Sequence, residues 1–463
     1  MLRVTGEVIL GFSVVMEVVI LFVMLLSALA LKRAEFRRKY GRVEDMLSSD
    51  TTPPVSIIMP AYNEEAGIVD AVRSMTLMQY PRFEIIVVND GSQDGTLAAL
   101  IDAFRMEHVV APYRSEIPTA HVRGVYRSSL PIPLIVVDKE NGGRADANNT
   151  GINLARHPYV LVTDADIIID PNALLLAMRR VVEDRVRVVA VGGNIRPING
   201  NLVGRGRVTK PHLPATDIER VQVLEYIRSF VGSRPGWSAL NALPLISGAF
   251  GIFRRDVLVE VGGSVPGHLG EDLDMTLRMH RHLRRRRQPY RMVYAPDAVA
   301  WTEVPSTNAV LRRQRIRWHR GLLAVVRDNL SVVGNPRYGM LGLLSWPYMV
   351  LFEFVAPIIE FCGWFLIPLG LIGGYLPWDV ALLLFLLAYL VGAINSLMAL
   401  ILDEAYGFFN SPLEALRLIR LVFIENFGLR QKTVWWRIRA LFGGASTRSW
   451  GDMQRRGVAK MAA

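Results

Sequence analysis

Cysteine is almost absent from this chain of 463 residues, which carries one, Cys362. A single cysteine excludes an intrachain disulfide framework and a cysteine-based metal site. Histidine is also sparse, and His280, His282 and His319 have no spacing that demands a metal. No internal repeat or low-complexity segment is present. Hydrophobic residues make up 51% of the chain and its mean hydropathy is +0.26, which indicates a folded domain combined with membrane segments.

Acidic residues are fewer than basic ones, and the net charge of +11 is concentrated in two places. Leu31–Arg42 carries +5 and Arg430–Ala463 carries +7, so the remainder of the chain is about neutral. Basic clusters beside apolar runs follow the positive-inside rule and attract anionic lipid. A nucleic-acid-binding protein would more typically show a basic face across its folded domain, so we expect no nucleic-acid partner.

The first long apolar run, Val8–Leu31, predicts one transmembrane helix. It is too long for the core of a signal peptide, and its basic flank lies on the wrong side. Lys32 and Arg33 follow the run, which predicts an N-terminus outside and a cytosolic domain after the helix. Glu17 in mid-span predicts a contact with protein or water, because a carboxylate in lipid is costly.

The C-terminal part is apolar again. Leu341–Tyr375 is interrupted by prolines and is longer than one span requires, which predicts an interfacial helix followed by a transmembrane helix. Trp378–Leu402 predicts a further span. Ser411–Phe442 mixes apolar and charged residues and predicts a helix on the membrane surface; a third C-terminal span through Leu413–Leu429 is the alternative.

Short apolar segments alternate with helical patterns between these runs. The predicted strands are Val55–Met59, Glu84–Val88, Leu134–Val137 and Tyr159–Val162. Each ends in polar residues, at the edge where open α/β sheets bind ligands. The alternation predicts an α/β fold with a doubly wound parallel sheet.

Three later segments carry further patterns. Ser247–Gly263 predicts a strand, a turn and a helix, and His268–His280 predicts a loop entering a helix with acids in its first turn. Ala309–Arg320 predicts a basic amphipathic helix. The predicted domains are a transmembrane helix (1–32), a basic linker (33–54), a cytosolic domain (55–305), interfacial helices (306–340), transmembrane helices (341–405) and an amphipathic basic tail (406–463).

Asp164 and Asp166 follow the fourth predicted strand, one residue apart. Their carboxylates are hard ligands suited to Mg²⁺ or Mn²⁺, which keep waters and reach substrate phosphates. A solvated turn is the alternative, because aspartate is common in turns. Asp90, with the flexible Gly91 and Ser92 after it, can approach a nucleoside, and Lys139 with Gly142–Arg144 can cradle a diphosphate. In isolation, a turn and a capping loop explain these two motifs equally well.

Seven motifs in order resemble the membrane-embedded, processive branch of the inverting family 2 glycosyltransferases, which includes cellulose, chitin, hyaluronan and poly-N-acetylglucosamine synthases. The resemblance covers roughly Pro54 to Leu323 closely and the membrane parts loosely. The motifs are VSIIMPAYNEE, NDGSQDGT, NGGRADANNTGIN, TDADIIID, SGAFGIFRRD, GEDLD and QRIRW. The resemblance implies a GT-A fold, a UDP-sugar of glucose or N-acetylglucosamine type as donor, and Mg²⁺ or Mn²⁺ as cofactor.

The resemblance also implies residue roles. The residues implied to bind the nucleotide sugar are Pro60, Tyr62, Glu64, Asp90, Lys139, Arg144 and Asp164. Asp166 would hold the metal, with Asp164 beside it. Asp272, next to Glu271, would be the general base, and Arg317 would neutralise the leaving diphosphate. The residues implied to contact the acceptor are Trp318, Gln314, Ser247 and Gly248. For Arg317 and Trp318 the alternative is membrane anchoring; for Glu271 and Asp272 it is a favourable helix start.

This chain departs from the family pattern in places. Arg144 stands where the family usually has lysine, which changes the geometry of the charge, and Asn148 stands where the family often has leucine. Trp450-Gly451 and Arg455-Arg456 loosely resemble the Trp-Gly gating loop of hyaluronan synthases, and a tail at the membrane surface explains them equally well.

The resemblance implies a multi-pass inner-membrane synthase that extends a β-linked polysaccharide from a UDP-sugar and passes it through its own helices. Its partners would be the growing polymer, the bilayer, and a second copy or accessory export subunits. One alternative is non-processive transfer of a single sugar to a lipid or short acceptor. A second, of another class, is a catalytically silent membrane protein that binds nucleotide sugar or exports polymer.

Overall fold

A computed structural model describes residues 2–40, 44–110, 113–204, 206–404 and 411–442, with side chains from residue 11 to 37 in the first range. The chain divides into two compact units. The sheet unit comprises 33–213 and 243–304, and the helical unit comprises 1–32, 214–242 and 305–452, within the described ranges. The segment 214–242, which the sequence placed inside the domain 55–305, belongs to the helical unit.

The strands all lie in the sheet unit. They are β1 (Val55–Ala61), β2 (Phe83–Asn89), β3 (Met106–Val109), β4 (Val122–Ser128), β5 (Leu134–Lys139), β6 (Tyr159–Val162), β7 (Ile168–Ile169), β8 (Val188–Pro197), β9 (Leu202–Gly204), β10 (Arg207–Lys210), β11 (Gly251–Arg254) and β12 (Arg291–Thr302). The helices of this unit are α2 (Ile68–Thr76), α3 (Thr96–Phe104), α4 (Arg144–Leu154), α5 (Ala173–Glu183), α8 (Arg255–Glu260) and α9 (Glu271–Arg285).

The main sheet has the order β3-β4-β5-β2-β1-β6-β11-β8-β12-β7. The central strands β5, β2, β1 and β6 are parallel, as are β8 and β12. Antiparallel pairs join β3 to β4, β4 to β5 and β11 to both neighbours. The predicted α/β fold with a parallel core is confirmed, and the four predicted strands correspond to β1, β2, β5 and β6, with ends that differ by at most two residues. The sheet as a whole is mixed.

Burial explains why the central strands could be predicted from the sequence. In β1, Val55, Ile57, Ile58 and Met59 are all fully buried, and β2 has the same pattern. A parallel strand covered by helices on both faces requires a continuous apolar run. The long strands β8 and β12 and the antiparallel β3 and β4 were not predicted from the sequence, because polar and small residues interrupt their apolar pattern.

The helical unit carries α1 (Leu2–Tyr40, shared with the sheet unit), α6 (Asp217–Tyr226), α7 (Arg234–Ala239), α10 (Asn308–Asp328), α11 (Trp346–Tyr348), α12 (Ala356–Ile372), α13 (Trp378–Glu404), α14 (Pro412–Ile424) and α15 (Leu429–Phe442). Within the described ranges, three helical segments are long and apolar enough to cross a membrane: Gly11–Arg37, Leu341–Ile372 and Trp378–Glu404. Each of these segments overlaps one of the three predicted spans.

Two expectations for the C-terminal part are corrected. Leu341–Ile372 is one continuous helical run, so the predicted break into an interfacial and a transmembrane helix is wrong. Pro347 and Pro357 occupy first-turn positions of α11 and α12, and π-helical turns precede both helices, so neither proline ends the run. The alternative third span through Leu413–Leu429 is also wrong, because α14 has 13 residues and a span needs about 20.

Candidate active site

The loop after β2 is organised by Asp90, whose carboxylate is buried. Oδ1 accepts from Lys139 Nζ at 2.7 Å and from the Gly142 N–H at 3.0 Å, and Oδ2 accepts from the Gly143 N–H at 2.7 Å. The Lys139 side chain is fully buried and also pairs with Asp146 Oδ1 at 2.7 Å. One ammonium is thus shared by two carboxylates, and together they fold the loop 139–143 over the end of the sheet.

The two glycines of this loop are required by geometry. Gly143 has a φ of +86°, a conformation that side chains rarely adopt, and a Cβ on Gly142 would lie 2.5 Å from the Asp146 carboxyl carbon. The Asp146 carboxylate accepts from the Ala120 N–H at 3.2 and 3.1 Å. Asp146 was not among the predicted site residues. Its position in the first turn of α4, two residues after Arg144, was the signal in the sequence.

The loops after β1 and β2 are hydrogen-bonded to each other. The Asn63 N–H donates to Ser92 Oγ at 3.0 Å, and the Glu64 N–H donates to Thr96 Oγ1 at 2.9 Å. Pro60 lies within β1, while Tyr62 beyond it is 46% exposed. The predicted nucleotide-site residues at these two strand ends therefore lie in one connected loop pair, with the Tyr62 ring open to solvent.

Arg144 begins α4 and joins three other segments of the sheet unit. Its Nε donates to Asp164 Oδ1 at 2.7 Å, one terminal nitrogen donates to the Gly248 carbonyl at 3.0 Å, and the other donates to the Glu271 carboxylate. Burial disfavours the charged guanidinium, but the carboxylates of Asp164 and Glu271 outweigh burial and raise the pKa of Arg144. The planar guanidinium donates to these three acceptors from a fixed fork of N–H groups. An ammonium is a compact point charge and would not reproduce this geometry.

Glu271 and Asp272 occupy the first turn of α9. Burial raises the pKa of the Glu271 carboxyl above its ordinary value, and the Arg144 guanidinium opposes this shift. Asp272 is half-buried and accepts from the Leu273 N–H at 2.9 Å. The helix start favours both acids electrostatically. The Arg144 to Glu271 pair thus holds the turn that carries Asp272 against the ends of α4 and β6.

The segment 247–250 is anchored at the same place. Thr163 Oγ1 donates to the Ala249 carbonyl at 2.9 Å, and a Cβ on Gly248 would lie 2.6 Å from a terminal nitrogen of Arg144. Ser247 precedes these contacts, and the Phe250 ring is fully buried beneath them. The structure thus brings a predicted acceptor residue, Gly248, together with the predicted donor residues Arg144 and Asp164.

Asp164 and Asp166 follow β6, as predicted, and both are half-buried. Among the residues that the structure describes, no group of three or more His, Cys, Asp or Glu could hold a metal ion. Mg²⁺ is often held by one or two carboxylates plus substrate phosphates, so the two aspartates fit an ion completed by a diphosphate. They do not fit an all-protein metal cage.

The remaining predicted residues lie on α10 of the helical unit. Gln314 is buried and Trp318 is 42% exposed, with the Arg315 guanidinium 4.7 Å from the Trp318 ring centroid. Arg315 is also paired with Glu225. Arg317 is half-buried. Sequence reasoning missed Arg315, whose pairing with a residue 90 positions away left no local signal.

Two further positioning residues were missed in the sheet unit. Asn149 of α4 donates to the Ser264 carbonyl at 2.9 Å and accepts from the Ser264 N–H at 2.7 Å. Arg278 of α9 pairs with Asp274 and donates to the Gly263 carbonyl at 2.6 Å. Asn149 thus fastens the segment before α9 to α4, and Arg278 fastens it to α9 itself. The Trp450-Gly451 and Arg455-Arg456 motifs lie outside the described residues.

Residues 53–321 match the model of the family described as "Glycosyltransferase like family 2", which is more than half of the chain. The protein therefore belongs to glycosyltransferase family 2, as its motifs predicted. It is similar to poly-beta-1,6-N-acetyl-D-glucosamine synthase of Staphylococcus aureus (strain COL), with 27% identity over 327 residues, 70% of this chain and 66% of that one. The enzyme of the same name from Staphylococcus epidermidis is 28% identical over 309 residues, 66% of this chain and 61% of that one.

These matches span about two thirds of the length of those relatives. Among solved structures, the mannosyltransferase PcManGT from Pyrobaculum calidifontis, in complex with GDP-Man and Mn²⁺, has 18% identity and a TM-score of 0.47, with 91% of this chain and 98% of that one covered. S. aureus TarS 1–349 in complex with UDP-GlcNAc has 16% identity and a TM-score of 0.42, with 81% and 91% covered.

Proposed function

We propose that this protein is a membrane-bound, inverting glycosyltransferase that uses a UDP-sugar of N-acetylglucosamine or glucose type to extend a β-linked polysaccharide, and that it passes the polymer across the membrane. One observation carries the proposal: Arg144 connects Asp164, Gly248 and Glu271 at the carboxyl ends of the strands. Donor, acceptor and base-bearing segments of the predicted site are thereby held within one hydrogen-bonded group.

The chemistry assigned to these residues is direct displacement. Asp272 accepts the proton of the acceptor hydroxyl, whose oxygen attacks the anomeric carbon on the face opposite the diphosphate. The new C–O bond forms as the bond to the diphosphate breaks, and UDP leaves with that electron pair. Inversion follows from the opposite-face attack, so the α-linked donor becomes a β-linked product.

The leaving group requires compensation of its negative charge. Asp166 and Asp164 would hold Mg²⁺ or Mn²⁺, which when bound neutralises charge on the diphosphate oxygens. The family resemblance assigns Arg317 to the same charge and Trp318 to an acceptor pyranose ring. Asp90 and Lys139, both buried, serve by shaping the loop 139–143, while Tyr62 is exposed and available to the nucleotide.

The membrane arrangement follows from the apolar helices. Three helical segments have the length and composition to span, and we propose a multi-pass protein of the inner or plasma membrane. Lys32, Arg33 and Arg37 lie at the C-terminal end of the first of them, which favours a cytosolic catalytic domain by the positive-inside rule. The cytosol is also where a nucleotide sugar would be supplied.

The test is turnover of the full chain in nanodiscs with Mg²⁺ or Mn²⁺ and a panel of UDP-sugars, with UDP release and product size measured together. We expect a long product from one donor, abolished by Asp272→Asn. Asp102→Asn, an exposed carboxylate on α3, is the matched control and should retain activity. A short or lipid-linked product would replace polymer synthesis by single transfer. UDP binding without turnover of any donor would contradict catalysis by this chain alone.

A further inference from the structure

A cavity of about 230 Å³ in the sheet unit lies away from the candidate active site. Its lining includes Ile135, near the start of β5, Leu154 at the C-terminal end of α4, and Arg156 just beyond that end. The candidate active site uses the other ends of the same elements, with Lys139 closing β5 and Arg144 opening α4. The cavity and the active site are therefore separated by the length of α4, about 16 Å for 11 residues.

The cavity is strongly positive. Arg114, Arg127 and Arg156 line it, and none of them makes an ion pair within 4.0 Å with a carboxylate in the described part of the chain. The fourth arginine of the lining, Arg255, differs because it is buried and paired with Glu116. Three arginines that make no ion pair with the described residues therefore line one cavity, and all three are exposed to solvent.

The rest of the lining is mostly apolar, with Asn153 as a polar member. Val125 and Ile135 of the sheet form a buried wall, and the Tyr113 ring is 39% exposed at the edge. Asn153 of α4 accepts from the Ile117 N–H at 3.0 Å and donates to the Ile117 carbonyl at 2.7 Å. The segment carrying Tyr113 and Arg114 is thus fastened to α4 shortly after these residues.

We propose that this cavity is a second binding site for a small organic phosphate, with the phosphate or diphosphate on the three arginines and a sugar or base ring against Tyr113. Guanidinium groups bind phosphate oxygens bidentately, and three of them match a group that carries two or more negative charges. The apolar wall and the phenol ring suit the flat face of a ring, which inorganic phosphate alone would leave uncovered.

Binding at this cavity would act on the active site through α4. The Arg255 Nε donates to the Ile152 carbonyl at 2.9 Å; Asn153 lies in the last turn of α4, and Arg156 lies two residues beyond the end of that helix. A ligand that draws Arg156 and Arg114 together would pull on the C-terminal end of α4. Because Arg144 begins the same helix, a shift of α4 would change its position. This coupling rests on the proposed function, whereas the binding site itself does not.

The test is calorimetric titration of the full chain in phosphatidylcholine nanodiscs with inorganic pyrophosphate and with glucose 6-phosphate. We expect saturable binding of at least one probe, weakened at least tenfold by the triple change Arg114→Gln, Arg127→Gln, Arg156→Gln. The matched control removes three exposed arginines elsewhere in the sheet unit, Arg73→Gln, Arg123→Gln and Arg286→Gln, and should change affinity by less than twofold.

Equal weakening in both triple variants, or no saturable binding, would overturn the site. The protein could instead bind phosphatidylglycerol discs through the three arginines and bind neither soluble probe. That result would assign the arginines to lipid phosphate and would overturn the proposed site as well. Coupling is read as a change of threefold or more in UDP affinity when the probe is bound. Arginine-dependent probe binding in a chain that turns over no donor would leave the site standing while the proposed function fails.

Discussion

Two ionic clusters flank the loop 139–144, and each places one cation between two carboxylates. In the first, Lys139 lies between Asp90 and Asp146 and is fully buried. In the second, Arg144 lies between Asp164 and Glu271, and the Asp164 side chain is 27% exposed. In the first cluster, backbone N–H groups donate to the Asp90 carboxylate. The second cluster includes Glu271, which is next to the half-buried Asp272 in the chain. The comparison indicates that the first cluster builds the loop, and we propose that the second positions the residues that perform the chemistry.

The largest expected effect comes from Lys139→Met. This change leaves Asp90 and Asp146 buried without their shared cation, and removal of one partner from a buried pair costs about 3–5 kcal/mol. We expect the free energy of unfolding of the sheet unit to fall by that order, measured by denaturant titration of the full chain in detergent.

Arg123→Gln is the control for this experiment. Arg123 is 51% exposed and pairs with Asp138 at 4.0 Å, so its loss should cost about 0–1 kcal/mol. Similar losses of stability in the two variants would contradict the structural role assigned to Lys139.

Arg144→Met should act on activity more than on stability. Loss of the guanidinium releases Asp164, Gly248 and Glu271 from one another, and we expect a reduction in kcat/KM of about 10²–10³-fold, as for the loss of one preorganised donor. Steady-state UDP release measures this. Arg187→Met, which removes a partly exposed pair with Asp256, should change kcat/KM by less than twofold.

A smaller effect is expected for Gly248→Ala. The added methyl would lie 2.6 Å from a terminal nitrogen of Arg144, which must move away. We expect a loss of about tenfold in kcat/KM, equivalent to about 1.4 kcal/mol. Gly67→Ala, where a Cβ meets nothing within 4 Å, should be neutral. Full activity of the Gly248 variant would show that the Arg144 position tolerates displacement.

The smallest effect concerns pH. Burial raises the pKa of Glu271 above 4.5 despite Arg144, so the folded state holds this proton more tightly than the unfolded state. The resulting contribution to stability is fully present below the ordinary glutamate pKa and is lost as pH rises through the folded value. Glu271→Gln should therefore gain stability relative to the parent as pH rises above the ordinary glutamate pKa. Denaturant midpoints across this range measure the difference, and parallel curves would refute the expected shift.

The candidate site was only partly predictable from the sequence. Asp164, Asp166 and Asp90 stand directly after apolar strands, so their place at one edge of the sheet followed from local pattern and parallel topology. Lys139 was predicted to contact the diphosphate, yet the structure turns it inward to Asp90, 49 residues away. Which anion a lysine meets depends on packing that no local window contains.

Local sequence determined the central parallel strands, the three apolar segments and the order of the motifs, because a continuous apolar run or a polar strand end needs only neighbouring residues to be recognised. Tertiary structure alone decided that Arg144 would pair with Glu271 across 127 residues, and that α9 would begin beside β6. It also decided the mixed sheet, since β8 and β12 are stabilised by pairing with distant strands. Pairing between distant residues depends on how the whole sheet is buried. The partners of such pairs therefore cannot be predicted from a local stretch of sequence.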